Sequence, residues 1–273
     1  MMVNSRLEQK KEEQFVVHFR VSFKHLCLLS VSCPFLSLMI CLLTAYIFQY
    51  NDIHESHCQV FNIIPSISSI TGISPQRYLW RISIAFHVGP RLIISAVYRA
   101  YHLSLINRFA QPETKLKAQV WLNSAFMLNA IETGALCGVT YISNRENYAW
   151  HEKLFIIFMI SSLTHMFACI HGIEAVAESR NNKKAIQRDL QVKQFLLYAS
   201  LIFTGGLVGF FMQHRYLCHR MAFSMFALCE YLLAIANMAF HISLILDFPT
   251  EYLLIAKKIS QQPQDGLRDQ KLD

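Results

Sequence analysis

The sequence predicts an all-α membrane protein, a bundle of about six transmembrane helices with both termini in the cytosol. Three observations predict it. The 273-residue chain is 53% hydrophobic and only 16% charged, against about 25% charged in an ordinary soluble domain. The charge gathers in short runs between long apolar segments. Threaded through six spans, the chain puts eighteen of its 25 Lys and Arg on one side and six on the other, with Arg91 left inside. That asymmetry marks the richer side, which holds both termini, as cytosolic.

The first apolar segment, 26–48, is too long for the apolar region of a cleavable signal peptide, about 7–15 residues, and reads as an uncleaved anchor. Five more follow at about 79–98, 118–142, 153–173, 195–212 and 221–246, each close to the ~20 residues that cross a bilayer. The fifth is the shortest and carries Gly205, Gly206 and Gly209, which favour close helix contact or a bend; without it the bundle would have five helices. The division is then a cytosolic tail over 1–24, one membrane domain over 25–248 and a second cytosolic tail over 249–273, which is polar and expected to be disordered after Lys257. A lumenal loop at about 49–78 mixes turn formers (Pro65, Gly72, Pro75) with Ile63, Ile64, Ile67, Ile70 and Ile73, so it should pack on the bundle or dip into the interface. The net charge of +7 is spread over separate loops rather than one stripe, which argues against nucleic acid.

Six of the eight cysteines lie in or beside apolar segments and read as small core residues. Only Cys58 and Cys218 fall in lumenal links. An oxidising compartment would let them pair; two free thiols are the alternative, since spacing does not show that they meet. His54-Glu55-Ser56-His57-Cys58 has no second ligand pair at zinc spacing and reads as a hydrophilic loop. His151-Glu152 is not a zincin motif, because Phe155 stands where the second His belongs. No metal is expected.

The apolar segments nonetheless carry His87 and Arg91, Asn129 and Glu132, His165, and Glu230, Asn237 and His241. An Arg at mid-bilayer costs about 2.5–3.5 kcal/mol on the insertion scale, so Arg91 needs a partner, with Glu132 or Glu230 as candidates. His87 and Arg91 share a helix face, as do Asn129 with Glu132 and Asn237 with His241. Most of these groups fall about 10–20 Å below the lumenal surface at 1.5 Å per residue; Asn237 and His241 lie deeper. One by one such groups read as interhelical hydrogen bonds; four helices delivering them together suggest a cavity open to the lumen.

Several blocks resemble one family. They are Pro65-Ser66-Ile67-Ser68-Ser69, Pro75-Gln76-Arg77-Tyr78-Leu79-Trp80-Arg81, His87 with Pro90-Arg91, His151-Glu152, and Ser161-Ser162-Leu163-Thr164-His165-Met166. Glu230-Tyr231, Asn237-Met238-Ala239-Phe240-His241, Asp247-Phe248, His57-Cys58 and Cys218 complete the set. In this order, from about residue 26 to 248, they resemble the post-GPI-attachment-to-proteins factor 2 family. The resemblance implies a multi-pass protein of the Golgi membrane, and of the ER membrane as an alternative. Its expected partners are GPI-anchored proteins and their lyso-GPI lipid. The implied reaction is reacylation of that lipid at sn-2 with a saturated chain, the donor being acyl-CoA or a phospholipid, with no bound cofactor.

That chemistry needs a base for the glycerol hydroxyl and a stabiliser for the oxyanion. The catalytic candidates are His87, His165 or His241 as base, with Glu132 or Glu230 to orient it. Arg77, Arg81 and Arg91, with Asn129 and Asn237, are candidates for the phosphorylated headgroup. The His-x-x-x-x-Asp signature of soluble-type glycerolipid acyltransferases is absent, since His241 and Asp247 are six apart. A second reading is therefore a non-catalytic factor that presents or escorts lyso-GPI-anchored proteins to a separate remodelling enzyme. A transporter is the weakest reading, because no inverted repeat is visible.

Overall fold

The computed structural model describes residues 15–56, 58–109, 111–178, 183–248 and 251–258. His57, the Asn181 loop, the first 14 residues and the tail beyond 258, where disorder is expected, lie outside them. The fold is all-α apart from a two-stranded ribbon. Six long helices form the bundle: α1 (Phe23–Phe48), α4 (Gln76–Phe109), α5 (Pro112–Tyr141), α6 (Tyr148–Glu178), α7 (Lys183–Leu217) and α8 (Ala222–Asp247). Two short helices, α2 (Tyr50–His54) and α3 (Ile67–Thr71), sit in the loop between α1 and α4. By length and composition, α1, α6, α7 and α8 are able to cross a membrane. The remaining two carry the Arg and Glu side chains that meet inside the bundle.

The bundle exposes large apolar side chains and buries a set of polar ones within its apolar core. Leu43, Phe86, Ile160, Phe195 and Ile202 are exposed, whereas His87, Arg91, Asn129, Glu132 and His165 are buried. Consecutive helices pack as hairpins, α5 on α6 and α7 on α8, while α1 lies along α4. A Cβ at Gly138 would meet Leu154 at 2.8 Å and one at Gly172 would meet Leu122 at 2.9 Å. Glycine at both positions lets α5 and α6 approach closely. Helix α7 runs unbroken through Gly205, Gly206 and Gly209, and only Gly206 is tightly packed, against Cys229.

The terminal segments hold a ribbon that the sequence reading did not anticipate. Phe15–Ser22 (β1) and Tyr252–Lys258 (β2) pair antiparallel, with Phe15 opposite Lys258 and Ser22 opposite Tyr252. Both are rich in β-branched, aromatic and aliphatic residues that suit a pleated ribbon, and the Arg20 guanidinium covers the Tyr252 ring at 3.7 Å. The ribbon brings both ends of the chain to one end of the bundle. Nearby, fully buried Lys193 on α7 meets half-buried Asp247 on α8 at 2.9 Å.

The opposite end carries the loops. The 49–75 loop packs on the bundle as its isoleucines suggest: Ile53 and Ile70 are fully buried against Leu38 and Cys41. Ser66 caps α3 by accepting from the Ser69 N–H. The backbone N–H groups of Ile63 and Ile64 donate to Ser224 Oγ at the start of α8, at 2.8 and 3.2 Å. Cys58 and Cys218 are joined by a disulfide with Cα atoms 5.5 Å apart, tying this loop to the α7–α8 link. His54 contacts the Ile63 carbonyl oxygen at 2.8 Å and Glu55 pairs with Arg145 at 3.0 Å, so both serve the loop's own architecture.

Candidate functional site

Helices α4, α5, α6 and α8 bring seven of the predicted site residues into one buried cluster. At its centre is Arg91. Its guanidinium donates through Nε to Asn129 Oδ1 at 3.2 Å, through Nη1 to His87 Nε2 at 3.3 Å and through Nη2 to His241 Nε2 at 2.6 Å, and Nη2 forms an ion pair with Glu132 Oε1 at 2.6 Å. Of the two carboxylates the sequence offered Arg91, the fold selects Glu132. Asn237 Nδ2 donates to Glu132 Oε1 and Ser162 Oγ, each at 2.7 Å. His87 is fixed through Nδ1 on the Ser30 carbonyl at 2.6 Å. His165 is fixed through Nδ1 on the Ala125 carbonyl at 2.9 Å and stacks on His241 with ring centroids 5.5 Å apart.

Glu132, His165 and His241 place donor atoms within 4.8 Å of one another, a set of types that zinc accepts. Two of the three already contact Arg91, His241 as a hydrogen-bond acceptor and Glu132 as an ion pair, and the guanidinium supplies the positive charge between them. The arrangement fits a buried ion pair better than a metal. Its chemistry is limited in the same way. The Nε2 atoms of His87 and His241 face an N–H of Arg91, so neither is free to take a proton from a substrate.

The other predicted residues lie nearer the loops. Glu230 is apart from Arg91 and accepts the Ile67 backbone N–H through Oε2 at 2.8 Å. Arg77 and Arg81 converge on Glu146, at 3.3 and 2.6 Å. The Ser143 backbone N–H, Arg81 and the Ser143 hydroxyl together lower the Glu146 carboxyl to about 2. A depressed carboxyl contributes stability that is complete above its unfolded value, near 4.3 for Glu, and disappears as pH falls through the folded one. Glu146→Gln should therefore melt below wild type at pH 6, and the gap should close as the melting buffer is taken toward pH 2.5. A gap independent of pH would mean that Glu146 acts through shape alone.

A pair that sequence reasoning passed over lies beside Glu230. Ser68 Oγ is 2.9 Å from His151 Nε2, and His151 Nδ1 is 2.8 Å from the Ile142 carbonyl oxygen. Both residues stand in blocks that carry the family resemblance, Ser68 in 65–69 and His151 with Glu152, but the sequence gives no sign that the two blocks meet.

Two cavities surround these groups. A central one of about 110 Å³ has apolar walls that include Leu38, Ile84 and Leu233, and a polar floor of His87, Arg91, Asn237 and His241. A larger groove of about 390 Å³ lies between α6, α7 and α8, lined by Met159, Leu207, Phe211 and Phe226 among others. Ser68, His151, Phe155 and Glu230 line both.

Residues 22–251 match the Frag1/DRAM/Sfk1/Cwh43P N-terminal domain. The chain is 45% identical over 261 residues to a Drosophila melanogaster protein named Post-GPI attachment to proteins factor 2-like, covering 95% of this chain and 78% of that one. It is 32% identical to a Danio rerio protein named Acyltransferase PGAP2, over 73% of this chain and 83% of the relative. It is 31% identical to Post-GPI attachment to proteins factor 2 of Caenorhabditis briggsae, over 84% and 86%. No solved structure matches the chain. Domain match and relatives together cover the whole bundle and its loops, and the chain belongs to the post-GPI-attachment-to-proteins factor 2 family.

Proposed function

We propose that this protein remodels the lipid of GPI-anchored proteins by reacylating the lyso-GPI intermediate at sn-2 with a saturated chain. The observation that carries the proposal is the central cavity, whose apolar walls lie within the span of the helices and whose rim lies at the loops. A lipid whose chains stay in the bilayer and whose headgroup lies at that rim would need to place only a few chain carbons in this space, which is below the size of a pocket for a whole ligand. The names of the relatives supply the lipid class and, for the Danio rerio protein, the acyltransferase.

In this proposal all six long helices cross the membrane, with the β1–β2 ribbon and both termini in the cytosol and the loop end in the lumen of the Golgi or ER. The eighteen-to-six distribution of Lys and Arg supports that orientation. Arg77 and Arg81 stand at the loop end of α4, where guanidinium pairs suit the anchor phosphate, and Glu146 holds them until an anion competes. The cluster around Arg91 closes the cavity floor and fixes the helices that carry the site. The acyl donor is acyl-CoA or a phospholipid.

The test uses the full chain in nanodiscs with lyso-GPI and labelled donor, comparing wild type with Ala234→Trp, which would fill the cavity that Ala234 lines. Diacyl product from wild type, lost in the filled variant while its melting point holds, is the expected result. Lyso-GPI binding that the filled variant loses, without product from wild type, would instead make the protein a presenter serving a partner enzyme.

A further inference from the structure

We propose that Ser68 and His151 form a nucleophile–base pair that carries the acyl chain as a serine ester between donor and acceptor. The inference rests on the reacylation reading and deepens it. A backbone carbonyl can only accept, so the contact with Ile142 fixes the proton of His151 on Nδ1 and leaves the lone pair on Nε2. That lone pair faces the Ser68 hydroxyl at 2.9 Å. A hydroxyl, a base within hydrogen-bond reach and a third group orienting the base are the parts an activated serine requires. Among the histidines predicted as bases, His87 and His241 each present Nε2 to Arg91. His165 opens only onto a space of about 30 Å³.

The position of the pair supports the role. Ser68 and His151 lie on the wall common to the central cavity and the α6–α7–α8 groove. The pair can then be approached from two sides, by the reacting end of the lyso-lipid through the smaller cavity and by the chain being delivered through the larger groove lined by Phe155, Met159, Leu207, Phe211 and Phe226. His151 is the fourth residue of α6, about 5 Å below the helix start at 1.5 Å per residue. The glycerol carbons of a membrane lipid lie near that level, whereas Arg91, fifteen residues into α4, is about 22 Å down by the same measure. Glu230 acts as a positioning residue, because its carboxylate holds the N–H of Ile67 and with it the turn that presents Ser68.

The steps balance. Ser68 Oγ attacks the carbonyl carbon of the donor thioester or ester as His151 Nε2 takes its proton. The new C–O bond forms, the donor C–S or C–O bond breaks, and His151 returns the proton to the leaving thiol or alcohol. The sn-2 hydroxyl of the lyso-lipid then attacks the serine ester and gives its proton to His151. The bond to Ser68 breaks, and the proton passes to Oγ.

The experiment incubates full-length protein in nanodiscs with either a saturated acyl-CoA or a phosphatidylcholine, each labelled in the acyl chain. The Ser68 peptide is then analysed by mass spectrometry before and after lyso-GPI is added. The expected result is an acyl ester on Ser68 from one donor, which identifies the donor class, and its discharge into diacyl product by lyso-GPI. Ser68→Ala should abolish ester and product. His151→Gln should slow ester formation by about 10²–10⁴-fold, the usual contribution of a general base. Ser68→Cys should form a thioester cleaved by neutral hydroxylamine, a signature that a merely structural contact would not give. Wild-type product that survives Ser68→Ala overturns the relay and leaves reacylation standing. An ester on Ser68 that lyso-GPI does not discharge overturns the acceptor and keeps the nucleophile. Neither ester nor product from wild type overturns both.

Discussion

Glu132→Ala is expected to be the most damaging single substitution in the bundle. Glu132 is fully buried and holds the charge that compensates Arg91, itself almost inaccessible. Removing one partner of a buried ion pair leaves an uncompensated charge and costs about 3–5 kcal/mol. The loss would appear as a much lower melting point in nanodiscs. Asn237 would also lose an acceptor at 2.7 Å, which adds to the damage. Removing both charges is a different matter, because a buried pair replaced by apolar residues often costs little. Arg91→Leu with Glu132→Leu should therefore recover part of what Glu132→Ala loses. Recovery should be incomplete, since His87, His241 and Asn129 would each lose the Arg91 donor. Glu132→Ala melting with wild type would show that the pair does not hold the protein together.

The buried ion pair and its neighbours were legible in the sequence because a membrane makes polar residues expensive. Each His, Asn, Glu or Arg in an apolar segment asks for a partner, and spacing of three or four assigns it a helix face. Those rules gathered residues of α4, α5 and α6 at one depth. On α8 they placed Glu230 there and Asn237 and His241 deeper, whereas Asn237 and His241 join the cluster and Glu230 does not. They did not separate Glu132 from Glu230 as the partner of Arg91, because depth along a helix carries no information about rotation or about which helices are neighbours. The loop end was less legible for the same reason. Ser68 and His151 are 83 residues apart, and neither stands in a pattern with period 2 or 3.6 that would aim it at the other. The β1–β2 ribbon joins opposite ends of the chain. Its strands are short and flank charged tails, so each alone reads as the edge of an apolar helix.

Breaking the disulfide is the second large perturbation. Cys58 and Cys218 are separated by 160 residues, and a cross-link over so long a stretch removes much freedom from the unfolded chain. Loss of a native disulfide typically costs about 2–5 kcal/mol. Either Cys58→Ser or Cys218→Ser removes the whole bond, so the two single variants and the double variant should melt alike, and reductant should bring wild type to their level. The consequences should be local in kind. Near the bond, the Phe61 carbonyl accepts the Met221 N–H at 3.2 Å, and Ser224 holds Ile63 and Ile64. These contacts lead along the chain to α3 and Ser68, so the variants should lose turnover more steeply than Arg91-dependent stability. The disulfide shares no partner with the Arg91–Glu132 pair, and independent sites combine additively. Cys218→Ser with Glu132→Ala should accordingly lose the sum of the two single effects. A combined loss well short of that sum would mean that the loop end and the buried cluster unfold as one unit.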